Sequence, residues 1–374
     1  MLEEMQNSNL KLSRYPIYPN DKFLAWDAAD KYILNHLLLS QKKHQNILII
    51  EDNFGAITLG LKAEHIFCVN DSILSRKGII YNFQKNNIEM SNISFLTPYE
   101  DFPEDIDLII LKIPKVNRYL EFLLHKLNTY YSSDTSFIAG SMLKYLNTTI
   151  YELFNSYCSE FRYSLTWKKA KIITGKLTGN SIHKEFKIIL EEFEITLINF
   201  PNLFSANSID IGTRFLLENF NKIQFAREVD TIIDVGSGNG ILGLSLLPHF
   251  PQAHLCLTDI SYSAYESAMA TIQQNNYYDD RIDLVIDNSL DYFKSNFADL
   301  IVINPPFHEN HKVSLSPALA IFNDCARVLK NNGQLIIVAN KHLGYHAHLT
   351  KSFSQVQVIN KNEKFVIISA LSPF

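Results

Sequence analysis

The stretch of the chain that decides the fold is TIIDVGSGNGI, residues 231–241. Residues 231–235 form a β-rich run of the kind that makes a buried strand, and Gly236, Gly238 and Gly240 follow at once. A glycine loop between a strand and a helix permits a tight turn. It also lets a ligand approach the backbone closely, because glycine has no Cβ. We therefore expect a ligand site at the carboxyl end of this strand.

The spacing of the glycines indicates which ligand is bound. G-x-G-x-G differs from the G-x-G-x-x-G of dinucleotide sites, in which a helix N-terminus faces a pyrophosphate. S-adenosyl-L-methionine has no phosphate, and we expect the loop to curl around its amino-acid part. The predicted cofactor-binding residues are Asp234, Gly236, Ser237, Gly238, Asn239, Gly240, Asp259, Ile260, Asp287, Asn288 and Asn304.

The acidic strand ends have separate expected roles. Asp234 can engage the ammonium group of the cofactor, and Asp259, which ends the next strand, can accept both ribose hydroxyls. Asp287 and Asn288 are placed to meet the adenine edge, and Ile260 to cover one adenine face.

A second motif, LIVINPPFH at residues 300–308, is a buried strand that runs into a rigid corner. An exocyclic amine on a purine is a poor nucleophile, because its lone pair is delocalised into the ring. If the side-chain oxygen of Asn304 and the carbonyl of Pro305 each accept one amine hydrogen, the lone pair turns towards the methyl donor. We expect Phe307 to stack on an extruded base, and His308 either to accept a proton or to contact the substrate backbone.

Strands alternate with helices in both halves, which predicts an α/β fold with parallel sheets. The predicted C-terminal strands are 231–235, 255–258, 284–286, 299–303 and 334–339, with a helix over 317–330. The predicted N-terminal strands are 46–50, 67–70, 108–111 and 136–139. The shared order predicts two tandem Rossmann-like domains that arose by duplication of one α/β unit.

The first copy is expected to be degenerate. Its first strand ends at Glu51 and the second at Asp71, which we place beside Asp234 and Asp259. Lys112-Ile113-Pro114 stands where the second copy has Asn304-Pro305-Pro306, so the acceptor side chain is lost. We place the domains at 1–185 and 186–374, joined by a β-rich connector over 161–174 and 186–200.

Composition limits the class of protein. The chain has 374 residues and a net charge of −5, and its four cysteines show no paired spacing, which argues against a disulfide framework or a metal site. No signal peptide or membrane-length apolar run is present, which favours a cytoplasmic protein. We expect no metal, no membrane association and a monomer.

Basic charge is concentrated locally. Residues 162–187 contain seven basic residues and one acid, Glu185. This run is either a solvated hairpin face or an RNA-contacting strip. The residues predicted to bind RNA are Trp167, Lys168, Lys169, Lys171, Arg214 and His308.

Together these motifs resemble the bacterial 23S ribosomal RNA guanine-N2 methyltransferase G family, a relative of the 16S guanine-N2 methyltransferase C family. In the C-terminal half the likeness lies in residues 202–205, 210–215, 234–240, 304–308 and 338–343. In the N-terminal half it lies in residues 25–30, 52–56, 112–115 and 167–170. Nearly the whole chain is covered.

The resemblance implies that the C-terminal domain methylates the N2 amine of one guanine in 23S rRNA, in a protein-poor form of that RNA. It implies two tandem Rossmann-like class I methyltransferase domains, of which the N-terminal one cannot hold the cofactor and helps to bind RNA. Two positions depart from the family pattern: Ala206 stands where an arginine is usual, a loss that Arg214 could offset, and Ser237 stands where a cysteine is common.

Other functions stay open at this stage. The same motifs fit methylation of 16S rRNA, of adenine N6 or of a protein glutamine amide, although Phe307-His308 favours guanine N2. A non-catalytic RNA-binding assembly factor is a further alternative, which the intact second glycine loop disfavours. The glycine spacing disfavours a dinucleotide-dependent oxidoreductase.

Overall fold

The structure is a computed structural model, and it describes residues 10–18, 23–180, 184–225, 228–277, 280–288, 290–305 and 316–374. The chain divides into two compact units, Met1–Phe186 and Lys187–Phe374. Each unit has its own sheet and its own apolar core.

In the described part of the N-terminal unit, a seven-stranded sheet is covered by four α-helices. The strands are β1 Asn46–Ile50, β2 His65–Val69, β3 Ile93–Leu96, β4 Leu108–Lys112, β5 Ser136–Met142, β6 Cys158–Tyr163 and β7 Ala170–Leu177. The helices are α1 Ala28–Ser40, α2 Ile73–Lys85, α3 Asn117–Tyr130 and α4 Thr148–Tyr157. The sheet order is β3-β2-β1-β4-β5-β7-β6; neighbours from β3 to β5 are parallel, and β7 runs antiparallel to both β5 and β6.

The C-terminal unit begins with a hairpin, β8 Ile188–Glu192 and β9 Ile195–Asn199. Its described helices are α5 Ile211–Leu217, α6 Ile241–Leu246, α7 Tyr262–Gln274, α8 Ser316–Val328 and α9 Tyr345–Leu349. Its other described strands are β10 Thr231–Val235, β11 His254–Asp259, β12 Ile282–Ile286, β13 Ala298–Ile303, β14 Leu329–Asn340, β15 Phe353–Lys361 and β16 Phe365–Pro373. They form a sheet of order β12-β11-β10-β13-β14-β16-β15.

The two sheets have the same strand order, which confirms the prediction of two tandem Rossmann-like domains. In the first sheet Ile50 pairs with Leu111, and in the second Val235 pairs with Ile303. The residue after this pair is Lys112 in the first sheet and Asn304 in the second. The pairing therefore supports the predicted equivalence of these two side chains.

The pairing also corrects one predicted equivalence. When the central strands are matched residue by residue, Asp234 corresponds to Ile49, because each is the fourth residue of a five-residue strand. Glu51 lies two positions later, after the strand has ended, so placing it beside Asp234 was wrong. The first copy has an apolar residue where the second has its buried carboxyl.

The predicted β-rich connector is also wrong as a connector. Residues 161–174 run from the end of β6 through a turn into β7. These strands complete the N-terminal sheet, because β7 pairs with β5 along seven residues. Residues 188–199 form the hairpin of the C-terminal unit. Alternating apolar residues predicted β structure here, but they did not predict the turns at 164–169 and 193–194 or the sheet that each strand joins. The helix predicted over 317–330 ends at Val328, where β14 begins.

The central strands are buried on both faces, as parallel sheets covered by helices require. Residues 47–50 in β1 are at most 2% exposed, and Ile232 and Ile233 in β10 are fully buried. All four cysteines are buried and free. Among the described helices, none has the length and apolar character needed to cross a bilayer.

A partly buried ion cluster links the start of α1 to the end of β4. Lys112 Nζ lies 2.9 Å from Asp27 Oδ1 and 2.6 Å from Asp30 Oδ1. Asp27 caps α1 by accepting from the Ala29 N–H, and Asp30 accepts from the Asp27 N–H at 2.7 Å. Burial raises the pKa of Asp30 to about 6, against the opposing effect of Lys112.

We predict that Lys112→Met lowers the free energy of unfolding by about 3 kcal/mol at pH 8, because it leaves two carboxylates near each other without their cation. A carboxyl group whose pKa is raised in the folded state makes the protein less stable as the pH rises through that pKa. The stability that Lys112→Met loses should therefore be smaller at pH 5, where Asp30 takes up a proton. Urea unfolding at both pH values measures this.

Lys176→Met is the matched control. Lys176 Nζ lies 3.6 Å from Glu160 Oε2, and both side chains are well exposed, so the expected loss is below about 1 kcal/mol. Equal losses in the two variants would show that the Lys112 cluster contributes no more than a surface pair.

Candidate cofactor and amine site

The glycine loop follows β10 and leaves open space above it. Gly236, Gly238 and Gly240 have φ values of 69°, 58° and 85°, which glycine adopts without strain. A Cβ built on Gly236 would meet no described atom within 4 Å, and one on Gly238 would meet Leu203 Cδ1 at 3.8 Å. The Gly236 and Ser237 N–H groups donate to the carbonyl of Thr258, at 2.8 and 3.1 Å. The loop is thus tied to β11 and open on its other side.

Asp234 is fully buried beneath this loop. Its Oδ2 accepts from the Gly243 N–H at 2.9 Å, while its Oδ1 is buried with no hydrogen-bond partner among the described residues. Burial, with a smaller contribution from Asp259, raises the pKa of the Asp234 carboxyl to about 7. A buried acceptor without a partner is costly, so this oxygen marks a position that suits a donor or cation from a ligand.

Asp259 connects the loop to the next helix. Its Oδ2 accepts from the Gly238 N–H and its Oδ1 from the Ser261 N–H, both at 3.0 Å. These two contacts fix the Asp259 carboxylate between the glycine loop and the start of α7. Ile260 is 37% exposed beside it.

Asp287 and Asn288 follow β12 at the same edge of the sheet. Asp287 is 8% exposed, and its Oδ2 accepts from the Tyr292 N–H at 2.5 Å. Asn288 Nδ2 donates to Asp291 Oδ2 at 3.3 Å. Their side chains are therefore engaged in the turn that follows the strand.

The start of the C-terminal unit bonds to the glycine loop through a residue that the motifs did not predict. Asn239 Nδ2 donates to Asn199 Oδ1 at 2.8 Å, and Asn199 Nδ2 donates to the carbonyl of Ala206 at 2.8 Å. Asn199 is 1% exposed at the end of β9. An asparagine at a strand end was the only signal in the sequence. Ala206 contributes its backbone here.

Asn304 lies directly after β13, the neighbour of β10. Its Nδ2 donates to Asp210 Oδ2 at 2.8 Å and to Thr213 Oγ1 at 3.0 Å. Its Oδ1 is buried and has no hydrogen-bond partner among the described residues. Pro305, the next residue, is buried. Phe307 and His308 lie outside the described residues, so their predicted roles stay predictions.

In the N-terminal unit the corresponding loop is filled. Gly55 has φ 79°, and a Cβ on it would meet Leu59 Cδ1 at 2.6 Å. Asp52 is buried, and its Oδ2 accepts from the Ile57 and Thr58 N–H groups at 3.0 and 2.8 Å. The loop therefore has neither the open space nor the unpaired carboxyl oxygen found at Asp234.

The basic and aromatic residues predicted to bind RNA lie in two places. Trp167, Lys168 and Lys169 form the turn between β6 and β7, where both lysines are exposed, and Lys171 follows in β7. The Trp167 ring packs on Tyr32 at 5.6 Å between centroids, and Lys168 Nζ lies 5.0 Å from the Trp167 ring.

The remaining predicted RNA contact, Arg214, is in the C-terminal unit. Its guanidinium forms an ion pair with Glu192, and its Cζ lies 5.7 Å from the Phe193 ring. The Glu192 carboxylate raises the pKa of this already strongly basic group. A role in offsetting the missing arginine at position 206 would require Arg214 to exchange this partner for substrate.

One cluster of metal-ligating residue types occurs in the described part of the chain. The candidate ligand atoms of His254, Cys256 and Asp283 lie within 4.8 Å of one another, near the starts of β11 and β12 and so at the opposite edge of the sheet. His254 uses Nδ1 towards Cys256 at 3.7 Å and Nε2 towards the exposed Asp283 at 3.5 Å. The absence of a metal from the protein stays a prediction.

The fold and site together define a methyltransferase of the Rossmann-like class. The open space at Gly236 and the unpaired oxygen of Asp234 fit a compact ligand that carries an ammonium group, as S-adenosylmethionine, the cofactor of this class, does. Residues 194–369 match the family described as methyltransferase small domain, and residues 2–179 match the RLMG N-terminal domain.

Sequence relatives extend over nearly the whole chain. It is 34% identical over 373 residues to ribosomal RNA large subunit methyltransferase G of Vibrio parahaemolyticus, covering 98% of this chain and 96% of the relative. It is 35% identical over 368 residues to the protein of the same name from Vibrio vulnificus, covering 96% of each. The chain belongs to the ribosomal RNA large subunit methyltransferase G family, as the motifs predicted.

A solved structure shares the two-domain fold. The 16S rRNA N2 methyltransferase of T. thermophilus, determined in complex with AdoMet and guanosine, matches with a TM-score of 0.74 at 17% identity and covers 97% of this chain and 98% of its own. At this identity the likeness supports the fold.

We predict that Gly236→Ala weakens binding of S-adenosylmethionine at least tenfold, because its Cβ enters the open space above the loop. Gly344→Ala is the matched control: φ there is +64°, and a Cβ again meets no described atom within 4 Å. Both variants force alanine into the left-handed region at a cost of about 1–2 kcal/mol. Calorimetric titration compares their affinities, and equal affinities would mean that the cofactor does not occupy this space.

Proposed function

We propose that this protein transfers a methyl group from S-adenosylmethionine to the exocyclic N2 amine of a guanine in 23S rRNA. The observation that carries the proposal is the buried Oδ1 of Asn304, which has no partner in the described part of the chain and lies next to the strand that bears the open glycine loop. The names of its relatives support large-subunit rRNA as the substrate. The fold it shares with a 16S rRNA N2 methyltransferase is compatible with guanine N2.

The cofactor supplies an electrophilic methyl group, and the protein supplies positioning. Asn304 Oδ1 accepts one hydrogen of the guanine amine, and the carbonyl of Pro305 accepts the other. With both hydrogens held, the nitrogen lone pair turns out of the purine plane. The same two oxygens stabilise the positive charge that grows on nitrogen as its bond to the methyl carbon forms and the carbon–sulfur bond breaks. The methylated amine then gives up one proton to water, with the thioether S-adenosylhomocysteine as the other product.

The cofactor is held by groups at the carboxyl edge of the sheet. Asp234 meets its ammonium group and Asp259 its ribose hydroxyls. The turn that Asp287 and Asn288 form after β12 meets the adenine edge, while their side chains keep their contacts within that turn. Ile260 covers one adenine face. These assignments rest on the position of each residue at a strand end and on the open space at Gly236.

The N-terminal domain, proposed as residues 1–185, binds RNA rather than the cofactor. Its filled glycine loop excludes a second cofactor of the same kind, and Lys112 replaces the acceptor Asn304. The turn at Trp167 offers aromatic and cationic groups, which suit unpaired bases and phosphates. The C-terminal domain, residues 186–374, is catalytic. We further propose that the protein is a cytoplasmic monomer that acts on protein-poor 23S rRNA.

The direct test incubates the protein and its Asn304→Ala variant with radiolabelled S-adenosylmethionine and naked 23S or 16S rRNA from cells that lack these modifications. Digestion then identifies the labelled nucleoside. We expect N2-methylguanosine in 23S rRNA only, with transfer abolished and cofactor binding nearly intact in Asn304→Ala.

Other outcomes redirect the proposal. Label in 16S rRNA keeps the chemistry and moves the protein to the small-subunit branch. Label on adenine or on protein glutamine, or no label, overturns the substrate. Equal loss of transfer and of cofactor binding in Asn304→Ala would mean that Asn304 is not the amine acceptor.

A second prediction concerns the surface that meets RNA. Reversing the charge at Lys168, Lys169 and Lys171 to glutamate should weaken RNA binding and reduce the slope of log K against log salt by about 0.7–0.9 for each phosphate that these lysines neutralise. Fluorescence titration of the wild type adds a local readout, because the two tryptophans are Trp26 and Trp167, and both lie in the N-terminal unit.

The control reverses three exposed lysines of the C-terminal unit, Lys351, Lys361 and Lys364, for the same change in net charge. The two contrary results are a salt slope that stays unchanged when Lys168, Lys169 and Lys171 are reversed, and one that changes equally in both variants. Either result would mean that the Trp167 turn is a solvated surface that does not bind RNA.

A further inference from the structure

The first turn of α5 bonds to the proposed catalytic asparagine. Asp210 is the N-cap residue of α5, and its Oδ2 accepts from the Gly212 N–H at 2.8 Å and the Thr213 N–H at 3.2 Å. The same oxygen accepts from Asn304 Nδ2, and the hydroxyl oxygen of Thr213 accepts from it as well. A helix start that is needed for the fold thus also contacts the site.

These two contacts determine which way the Asn304 amide faces. An amide nitrogen has two hydrogens, and here two acceptors lie 2.8 and 3.0 Å from Nδ2. Rotating the amide by 180° would place its oxygen against the Asp210 carboxylate and the Thr213 oxygen, with no donor from Asn304 between them. Oδ1 is therefore held on the opposite side, as an acceptor without a partner among the described residues.

The start of α5 can lie this close to Asn304 because residue 212 is a glycine. A Cβ on Gly212 would lie 3.0 Å from Asp210 Oδ2 and 3.1 Å from Phe365 Cε1. Thr213 is only 8% exposed, so its hydroxyl is withdrawn from competing water. The polar contacts to Nδ2 are thus enclosed by packing against β16.

The N-terminal unit contains the same construction with different chemistry. Asp27 caps α1 as Asp210 caps α5, and Asp30 takes the third helical position, as Thr213 does. Lys112 donates to both acids, as Asn304 donates to Asp210 and Thr213. Lysine has no acceptor, so the N-terminal site ends in a paired cation, whereas asparagine leaves one oxygen available.

We infer that Asp210 and Thr213 are positioning residues that hold Asn304 with Oδ1 directed to the substrate amine, an inference that rests on the proposed function. Neither is proposed to touch the substrate. Asp210 has a second effect: its carboxylate polarises the amide through Nδ2, which makes Oδ1 a stronger acceptor as positive charge grows on the amine.

The test compares Thr213→Val, which removes the acceptor at nearly constant volume, with Thr213→Ser, which keeps a hydroxyl. Single-turnover methyl transfer should fall about tenfold to hundredfold in Thr213→Val, since small misplacements of a catalytic group cost up to about this much. Thr213→Ser should recover most of the rate. Cofactor affinity should be unchanged in both.

Thr271→Val controls for the loss of a buried threonine as such. Thr271 is fully buried in α7, and its hydroxyl oxygen accepts from the Ile198 N–H at 3.0 Å, outside the Asn304 contacts. This variant should keep its transfer rate. Asp210→Asn retains a capping oxygen but removes the charge, and it should lower the rate without lowering cofactor affinity.

A second readout does not depend on activity. In protein labelled with ¹⁵N-asparagine, the side-chain NH₂ signals of Asn304 are those missing from Asn304→Ala. They should shift in Thr213→Val and Asp210→Asn and return towards the wild-type position in Thr213→Ser. Unshifted signals would overturn the inference whatever the substrate is. Shifted signals in a protein that methylates no guanine would support the positioning role and reject the proposed function.

An equal fall in rate in Thr271→Val and Thr213→Val, or no rescue by serine, would also overturn the inference. Either result would assign the effect of Thr213 to general packing rather than to the orientation of the Asn304 amide.

Discussion

The order of strands in the C-terminal sheet is the constraint on which the site depends. β10 lies between β11 and β13. The chain continues from β10 to β11 on one side of it within the sheet, and later adds β13 on its other side. In such parallel sheets the loops that follow neighbouring strands separate at this point and leave a crevice at the carboxyl edge. Gly236 and Asn304 follow the paired residues Val235 and Ile303, so one pairing brings the open glycine loop and the Asn304 side chain to the same edge.

The two units show how little must change for this edge to lose its chemistry. Both sheets have the same strand order. In each unit a side chain at the end of a central strand bonds to the start of a helix: Lys112 to Asp30 in the first unit, and Asn304 to Thr213 in the second. Where the second unit has Asn304 Oδ1, which has no described partner, the first unit has Lys112, whose ammonium group is paired with two carboxylates. Leu59 fills the space beside Gly55 that is open above Gly236. The backbone frame is retained for packing, while a few side chains decide whether a ligand can enter.

Sequence patterns predicted the features that depend on local chemistry. The strand 231–235 and its glycine loop were predicted because β-branched runs and G-x-G-x-G have few other uses, and Lys112 was matched with Asn304 because each follows a buried strand. Features that depend on distant partners were not predicted. The pairing of β7 with β5 and the bond between Asn199 and Asn239 join residues far apart in the chain, and no periodicity records such a partner. Asp210 and Thr213 belonged to a family motif, but only geometry showed that they bond to Asn304.

The net charge of −5 need not oppose an RNA substrate, because exposed charges act over short distances in solution. The Debye length is about 8 Å at physiological ionic strength, so a phosphate near the Trp167 turn responds mainly to the charges around it. There Lys168 and Lys169 are exposed, and Lys31, with Nζ 3.8 Å from the Trp26 ring, has its pKa lowered by burial and then by Lys168. When a neighbouring cation lowers the pKa of a lysine, the charged form of that lysine is stabilised once an anion binds nearby. The local repulsion between Lys31 and Lys168 therefore favours binding of an anion at this turn.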